Sequence, residues 1–208
     1  MSTVYLSTAY FAPVSYYASF LRYDRIVIEQ WCNYTKQTYR NRCHIAGANG
    51  LLALSVPIVK PDTIKCPTKD IRISDHGEWR HLHWNAIASA YGSSPFFEYY
   101  QDDIRPFFEK RYEFLLDFNE EIRRTVCNLI GIEPHIEYSS SYSEPAPGET
   151  DLRGAIHPKK RKAETILPVQ PKPYYQVFSE KYGFQPDLSI IDLLMNIGPE
   201  SILILQNA

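Results

Sequence analysis

Three cations stand close together in the run E-Q-W-C-N-Y-T-K-Q-T-Y-R-N-R-C-H-I, residues 29 to 45, interleaved with tyrosines and amides. Even in a fully extended chain, Lys36, Arg40 and Arg42 fall within about 20 Å of one another. Lysine offers a point charge, whereas each guanidinium offers a planar pair of donors that matches a phosphate or carboxylate. The chemistry of such a cluster is capture of an anion, with Tyr34 and Asn41 available to orient what is captured. As a strand, the segment would carry Tyr34, Lys36, Thr38, Arg40 and Arg42 on one face, and neither face would be apolar. As a helix it has no stripe to dock on a core. Ordinary surface charges on a solvated hairpin are the competing account.

A second group lies in S-D-H-G-E-W-R-H-L-H-W-N, residues 74 to 85. His76, with Arg80 one turn later, is a candidate base beside Asp75, whose carboxylate would either orient the ring or cap a helix. An exposed or capping histidine is the equal alternative. His81 and His83 point in nearly opposite directions on a helix and cannot share a metal, so no metal site is expected. Cys43 follows the basic cluster and is either a nucleophile activated by Arg40 and Arg42 or a buried, inert thiol. No G-x-G-x-x-G, P-loop or G-x-S-x-G string is present, so a bound nucleotide is not held by those devices.

The elements that must position these groups alternate between strand and helix. Short strands are expected at Val4–Leu6 and Arg25–Glu29, with a helix over 14 to 23 between them. The near-continuous apolar pattern of the second strand marks burial on both faces. The basic segment therefore leaves the carboxyl end of a buried strand, the edge at which ligands collect in open α/β sheets. A turn at 48 to 50 leads into a strand over 51 to 58, and Ile71–Ile73 is a further brief strand. Asp75 and Glu78 form a capping pair for a helix to Tyr91 that turns Leu82, Ala86 and Ala90 inward. Helical turns follow at 96 to 100 and 104 to 108, then a long helix over 114 to 130 capped by Gly131, and a strand over 135 to 138. Residues 139 to 173 change character, with serines, prolines and the run Lys159-Lys160-Arg161-Lys162, and this long loop is a candidate lid. Helices over 174 to 182 and 186 to 196 and a terminal turn at 201 to 205 complete an α/β fold, a mixed sheet covered by helices in one domain spanning 1 to 208.

The 208 residues carry a formal net charge of −2, which removes the drive for generic nucleic-acid or membrane-surface binding and confines positive potential to local patches. A single-stranded nucleic-acid binder that stacks bases on tyrosines is disfavoured on the same ground. Four cysteines without C-x-x-C spacing, and the lack of an N-terminal leader pattern, suggest a reduced, cytoplasmic protein. No apolar run approaches the roughly 20 residues that cross a bilayer.

Taken together, N-Y-T-K-Q-T-Y-R-N-R (33 to 42), I-S-D-H-G-E-W-R-H-L-H-W-N (73 to 85), S-S-P-F-F-E-Y-Y (93 to 100) and D-L-S-I-I-D-L-L-M-N-I-G-P-E (187 to 200) resemble the WbqC-like family. The likeness covers nearly the whole chain and is strongest at K-x-x-x-R-N-R. Asp151, Arg153, His157 and Lys159 in the long loop also look like family positions. The resemblance implies a role in surface-polysaccharide biosynthesis: transfer of an aminoacyl group such as glycine to a sugar, with a small anionic substrate that is a sugar nucleotide or an activated acyl donor. A non-catalytic binding or assembly protein of the same pathway is the alternative. Many members carry H-Q-P-x-Y-x-P after the first strand, where this chain has Ser7-Thr8-Ala9-Tyr10-Phe11-Ala12-Pro13. Chemistry that depends on that histidine would need another base here.

Overall fold

A computed structural model describes residues 2–63, 65–160 and 172–208. In chain order its elements are β1 (Thr3–Ser7), α1 (Val14–Arg22), β2 (Arg25–Glu29), β3 (Arg42–Gly47), β4 (Gly50–Ser55), α2 (Trp79–Tyr91), α3 (Phe97–Ile104), α4 (Leu115–Ile130), β5 (Ile136–Tyr138), β6 (Thr150–Asp151), α5 (Ser179–Tyr182), α6 (Ile190–Ile197) and α7 (Ser201–Gln206). The strands form a four-stranded sheet in the order β5-β2-β1-β6, parallel throughout, and a separate antiparallel pair β3-β4. The α/β class and the mixture of pairings are as expected, with the parallel and antiparallel ladders in two separate sheets.

The centre of the parallel sheet explains itself from sequence. Val4, Leu6, Ile26 and Ile28 on one face and Tyr5 and Val27 on the other are all buried, as strands covered on both faces demand. The β1-to-β2 crossover is α1, which is buried from Val14 through Phe20. Helix α4 presents Leu115, Phe118, Ile122 and Val126 to the core and ends at Gly131, whose φ of 77° is the left-handed C-terminal stop that favours glycine. Helix α6 is capped by Ser189, whose side chain accepts from the Ile191 amide, and it buries Ile190 to Asn196.

Three local expectations are corrected. The face of α2 is turned by about one residue: Trp79, His83, Ile87 and Ala90 are buried, whereas Leu82 is 60% exposed. Asp75 and Glu78 do not cap it. Glu78 occupies the N-cap with a φ of 46° and no side-chain bond, and Asp75 pairs instead with Arg80 and Arg111. Residues 174 to 178 precede α5 rather than belong to it, because the Tyr174 hydroxyl donates to buried Asp192 at 2.7 Å and pins that stretch against α6.

Residues 139 to 160 contribute to the fold. Thr150 and Asp151 pair with Val4 and Tyr5 as the edge strand β6, and Leu152 and Ile156 enter the core. Arg161 and Lys162 of the basic run lie outside the described residues.

Candidate active site at the carboxyl edge of the parallel sheet

Each strand of the parallel sheet ends, or is followed, by a polar group. Ser7 closes β1, Glu29 closes β2, Ser139 follows β5 and Asp151 closes β6. These groups hold two arginines brought from loops.

Arg153 is surrounded by carboxylates. Its Nη1 donates to Glu29 Oε2 at 3.3 Å, its Nε to Asp151 Oδ1 at 2.9 Å, and its Nη2 to Asp151 Oδ2 at 2.7 Å and Glu144 Oε2 at 3.2 Å. Glu29 is fully buried, and its other oxygen accepts from the Trp31 amide and the Ser139 hydroxyl. The hydrogen bonds to Arg153 hold the Asp151 carboxyl below the usual carboxylate range, and Asp151 in turn raises the Arg153 guanidinium.

Arg40 is placed differently. It is 7% exposed, and its partners are neutral: Nη2 donates to Ser7 Oγ at 2.7 Å and to Cys32 Sγ at 3.3 Å, and Nη1 to Thr38 Oγ1 at 3.4 Å. Its Nε is buried without a partner, and among the described residues no carboxylate lies within ion-pairing distance of it. Its backbone carbonyl accepts from Asn119 Nδ2 of α4, which fixes the loop on the core. A buried guanidinium with no counter-ion is costly unless an anion is supplied from outside.

Both arginines line a cleft of about 330 Å³ together with Cys32, Asn33, Thr35, Thr38, Tyr142 and His157. A second cleft, of about 400 Å³, is lined by Tyr34, Lys36, Lys60, Asp62 and Cys66 among others. Segment 33 to 36 separates them, its alternate side chains facing the two clefts. The alternation stops at Gln37, whose left-handed φ of 60° turns the chain, so that Thr38 and Arg40 rejoin the side of Asn33 and Thr35. Of the anion-binding residues expected as one row, Arg40 lines the first cleft, Tyr34 and Lys36 the second, and Arg42 neither.

Tyr34 lies near the boundary. Burial pushes its hydroxyl up to about 12, while the charges of Arg40 and Arg42 pull it down. Arg42 begins β3, half-buried, with its Nε unpartnered. Asn41 is a strut: its Nδ2 donates to the Val56 carbonyl at 2.9 Å and its own carbonyl accepts from the Val56 amide. His157 Nδ1 accepts from the Lys159 amide at 3.1 Å, so the neutral ring carries its proton on Nε2. Lys159 itself is exposed.

His76 and Arg80 belong to neither cleft. His76 is exposed in the short turn before α2, its amide bonded to Ser74 Oγ. Arg80 stacks on the Trp79 ring, 4.6 Å from its centroid, and donates Nη1 to Asp75, with Nε and Nη2 buried and unpartnered. Two imidazoles are buried, His44 on β3 and, on α2, His83. Burial lowers it to about 4, and it takes a hydrogen bond from the Tyr10 hydroxyl at Nδ1, 2.9 Å away, and another with the Ser55 backbone. Cys43 is fully buried and burial pushes its thiol up, which is the inert alternative. Among the described residues no group of three or more His, Cys, Asp or Glu is placed to hold a metal ion, and no helix is long and apolar enough to cross a membrane.

Cys32, Ser7 and Glu29 carry no motif, and the sequence did not single them out. The available signal was position: Ser7 and Glu29 end apolar strands, and Cys32 follows the second. Ser7 and Thr38 are the hydroxyls that receive Arg40.

No solved structure matches the chain significantly. It is similar to the uncharacterized protein Rv1507c of Mycobacterium tuberculosis (strain ATCC 25618 / H37Rv), 25% identical over 214 residues that cover 92% of this chain and 89% of that protein. The model of the WbqC-like protein family matches residues 8–170, a span that contains Arg40, both cleft-lining segments and Arg153, and the chain belongs to that family.

Proposed function

We propose that this protein transfers an aminoacyl or similar acyl group to a sugar in surface-polysaccharide biosynthesis, with the anionic part of the donor held at Arg40. The observation that carries the reading is the buried Arg40 guanidinium, which faces hydroxyls and a thiol instead of a carboxylate. An incoming phosphate or carboxylate would provide the missing counter-charge and displace weak neutral contacts rather than a salt bridge. Arg153 and His157 form the opposite part of that cleft, where Arg153, already neutralised, serves as a rigid wall. Tyr34 and Lys36 serve the second cleft, which would take the sugar or its nucleotide, with the charge of Arg42 acting on Tyr34 and Asn41 anchoring the chain that follows. His76, Arg80 and Lys159 would act from outside these clefts, by approaching a substrate that extends beyond them. A cytoplasmic setting suits donors of this kind.

The family affiliation supports the pathway, and the cleft chemistry supports the anion. Two observations favour the non-catalytic alternative: position 7 holds a hydroxyl engaged with Arg40, and the buried His83 is occupied by Tyr10 and Ser55. The test is twofold. Pyrophosphate binding, measured by calorimetry, is expected for the native chain and is expected to be lost in Arg40→Met. Incubation with a sugar nucleotide and an aminoacyl phosphate should then yield aminoacylated sugar; saturable binding without product would leave a binding protein.

A further inference from the structure

The Arg40 cleft contains a thiol that anion capture does not use. Cys32 is half-buried just beyond the carboxyl end of β2, its Sγ 3.3 Å from Arg40 Nη2 and 3.4 Å from Thr68 Oγ1. Cys43 and Cys127 are buried, and burial pushes both thiols up; Cys66 is also pushed up by burial and lines the second cleft. A second, independent feature points to a ligand at the same place. Arg40 is more than nine-tenths buried, lines the cleft beside Cys32, and has an unpartnered Nε and no carboxylate among the described residues. A cation that touches both a thiol and the place for an anionic group holds the phosphate that departs as the thiol is acylated.

Resting on the anion-cleft reading above, we propose that Cys32 is the catalytic nucleophile, taking the acyl group of a mixed carboxylic–phosphoric anhydride whose phosphate sits on Arg40. In the first step the sulfur attacks the acyl carbon. A C–S bond forms, the C–O bond to phosphate breaks, and phosphate leaves with the electron pair to Arg40, while the thiol proton passes to water. In the second step an amine or hydroxyl of the sugar attacks the thioester carbon. A C–N or C–O bond forms, the C–S bond breaks, and the proton lost by the acceptor restores the thiol. No oxidant or reductant enters either step. His157, with Nδ1 engaged by the Lys159 amide, would face the departing phosphate as an N–H donor rather than as the base.

The probe is acetyl phosphate, applied to the full chain, with intact-mass analysis and peptide mapping after quenching. One acetyl group on Cys32, removed by neutral hydroxylamine and absent in Cys32→Ala, is the expected result. A parallel arm compares iodoacetate with iodoacetamide at Cys32, with Cys66 as the internal reference. The anionic reagent should be favoured at Cys32, and Arg40→Met should cut that preference by about tenfold, the worth of one charge-assisted hydrogen bond. Pyrophosphate should protect Cys32 and leave Cys66 unchanged. Iodoacetate preference and pyrophosphate protection without any thioester would overturn the nucleophile and leave the anion cleft standing. Equal reagent rates at both cysteines, with no protection, would overturn both. The arms on native protein decide the matter even if Cys32→Ala fails to fold.

Discussion

Replacing Arg40 and Arg153 in turn by methionine should move stability in different ways, although the two arginines line the same cleft. Arg153→Met removes the cation that faces Glu29, a fully buried carboxylate. Breaking a buried pair from one side costs about 3–5 kcal/mol. The lower end applies here, because Glu29 keeps the Trp31 amide and the Ser139 hydroxyl. Arg40→Met removes one short hydrogen bond, to Ser7 at 2.7 Å, a long one to Thr38 at 3.4 Å, and one to the Cys32 sulfur at 3.3 Å, a softer acceptor. A hydrogen bond to a charged group contributes about 1.5–3 kcal/mol, and the desolvation penalty of an unpaired buried ion is several kcal/mol. The two nearly cancel, so ligand-free Arg40→Met should unfold in urea within about 1 kcal/mol of the native chain, or later than it. Pyrophosphate at a hundred times its dissociation constant should stabilise the native protein by about 2.7 kcal/mol, and that increment should vanish in Arg40→Met. If Arg40→Met destabilises the ligand-free protein as much as Arg153→Met does, Arg40 is a structural strut, and the argument from its missing counter-ion fails.

Stability should also depend on pH through His83. Its folded value, lowered to about 4 by burial, lies below that of the unfolded chain, so the unfolded state takes up the proton first. The native state should therefore lose about 3 kcal/mol as pH falls from about 6.5 to 4, a loss that His83→Gln should largely remove in urea titrations across that range. Gly198→Ala should be strongly destabilising, by about 1–3 kcal/mol or more in denaturation. Its φ is 64°, and a Cβ there would stand 2.5 Å from the Phe96 ring. Arg123→Met should cost about 3–5 kcal/mol, because it strands Glu120, whose carboxylate is buried between Arg123, Tyr138 and Thr8. A smaller loss, measured by urea unfolding, would mean that Tyr138 and Thr8 suffice.

Much of the frame was legible because strand β2 and helix α4 have patterns with a single solution. Arg25–Glu29 has the bounds that its apolar run suggests, and α4 begins one residue from its expected start. The face of α2 was illegible for a chemical reason. A periodicity argument counts His83 as polar, yet its ring is neutral, with the Tyr10 hydroxyl at Nδ1 and the Ser55 backbone beside it, and it packs as a core side chain while Leu82 turns out. The division of the basic segment was illegible for a conformational one. A period of two predicts one row from Tyr34 to Arg42, and nothing in the side chain of Gln37 announces the left-handed turn that separates Lys36 from Arg40.

The carboxyl edge of the sheet holds two buried arginines whose surroundings differ in one respect, the sign of what they face. Arg153 meets three carboxylates, two of them at strand ends, and its charge is spent within the fold. Arg40 meets Ser7 at the end of the neighbouring strand, then Thr38 and Cys32, and keeps its charge. The strands are adjacent and the loops comparable, so packing alone gives no reason for the asymmetry. A fold that needed only stability would gain by placing a neutral residue at position 40, since that removes an uncompensated buried ion. Retaining the ion beside an open cleft is the arrangement expected when the counter-charge arrives with a substrate and leaves with a product.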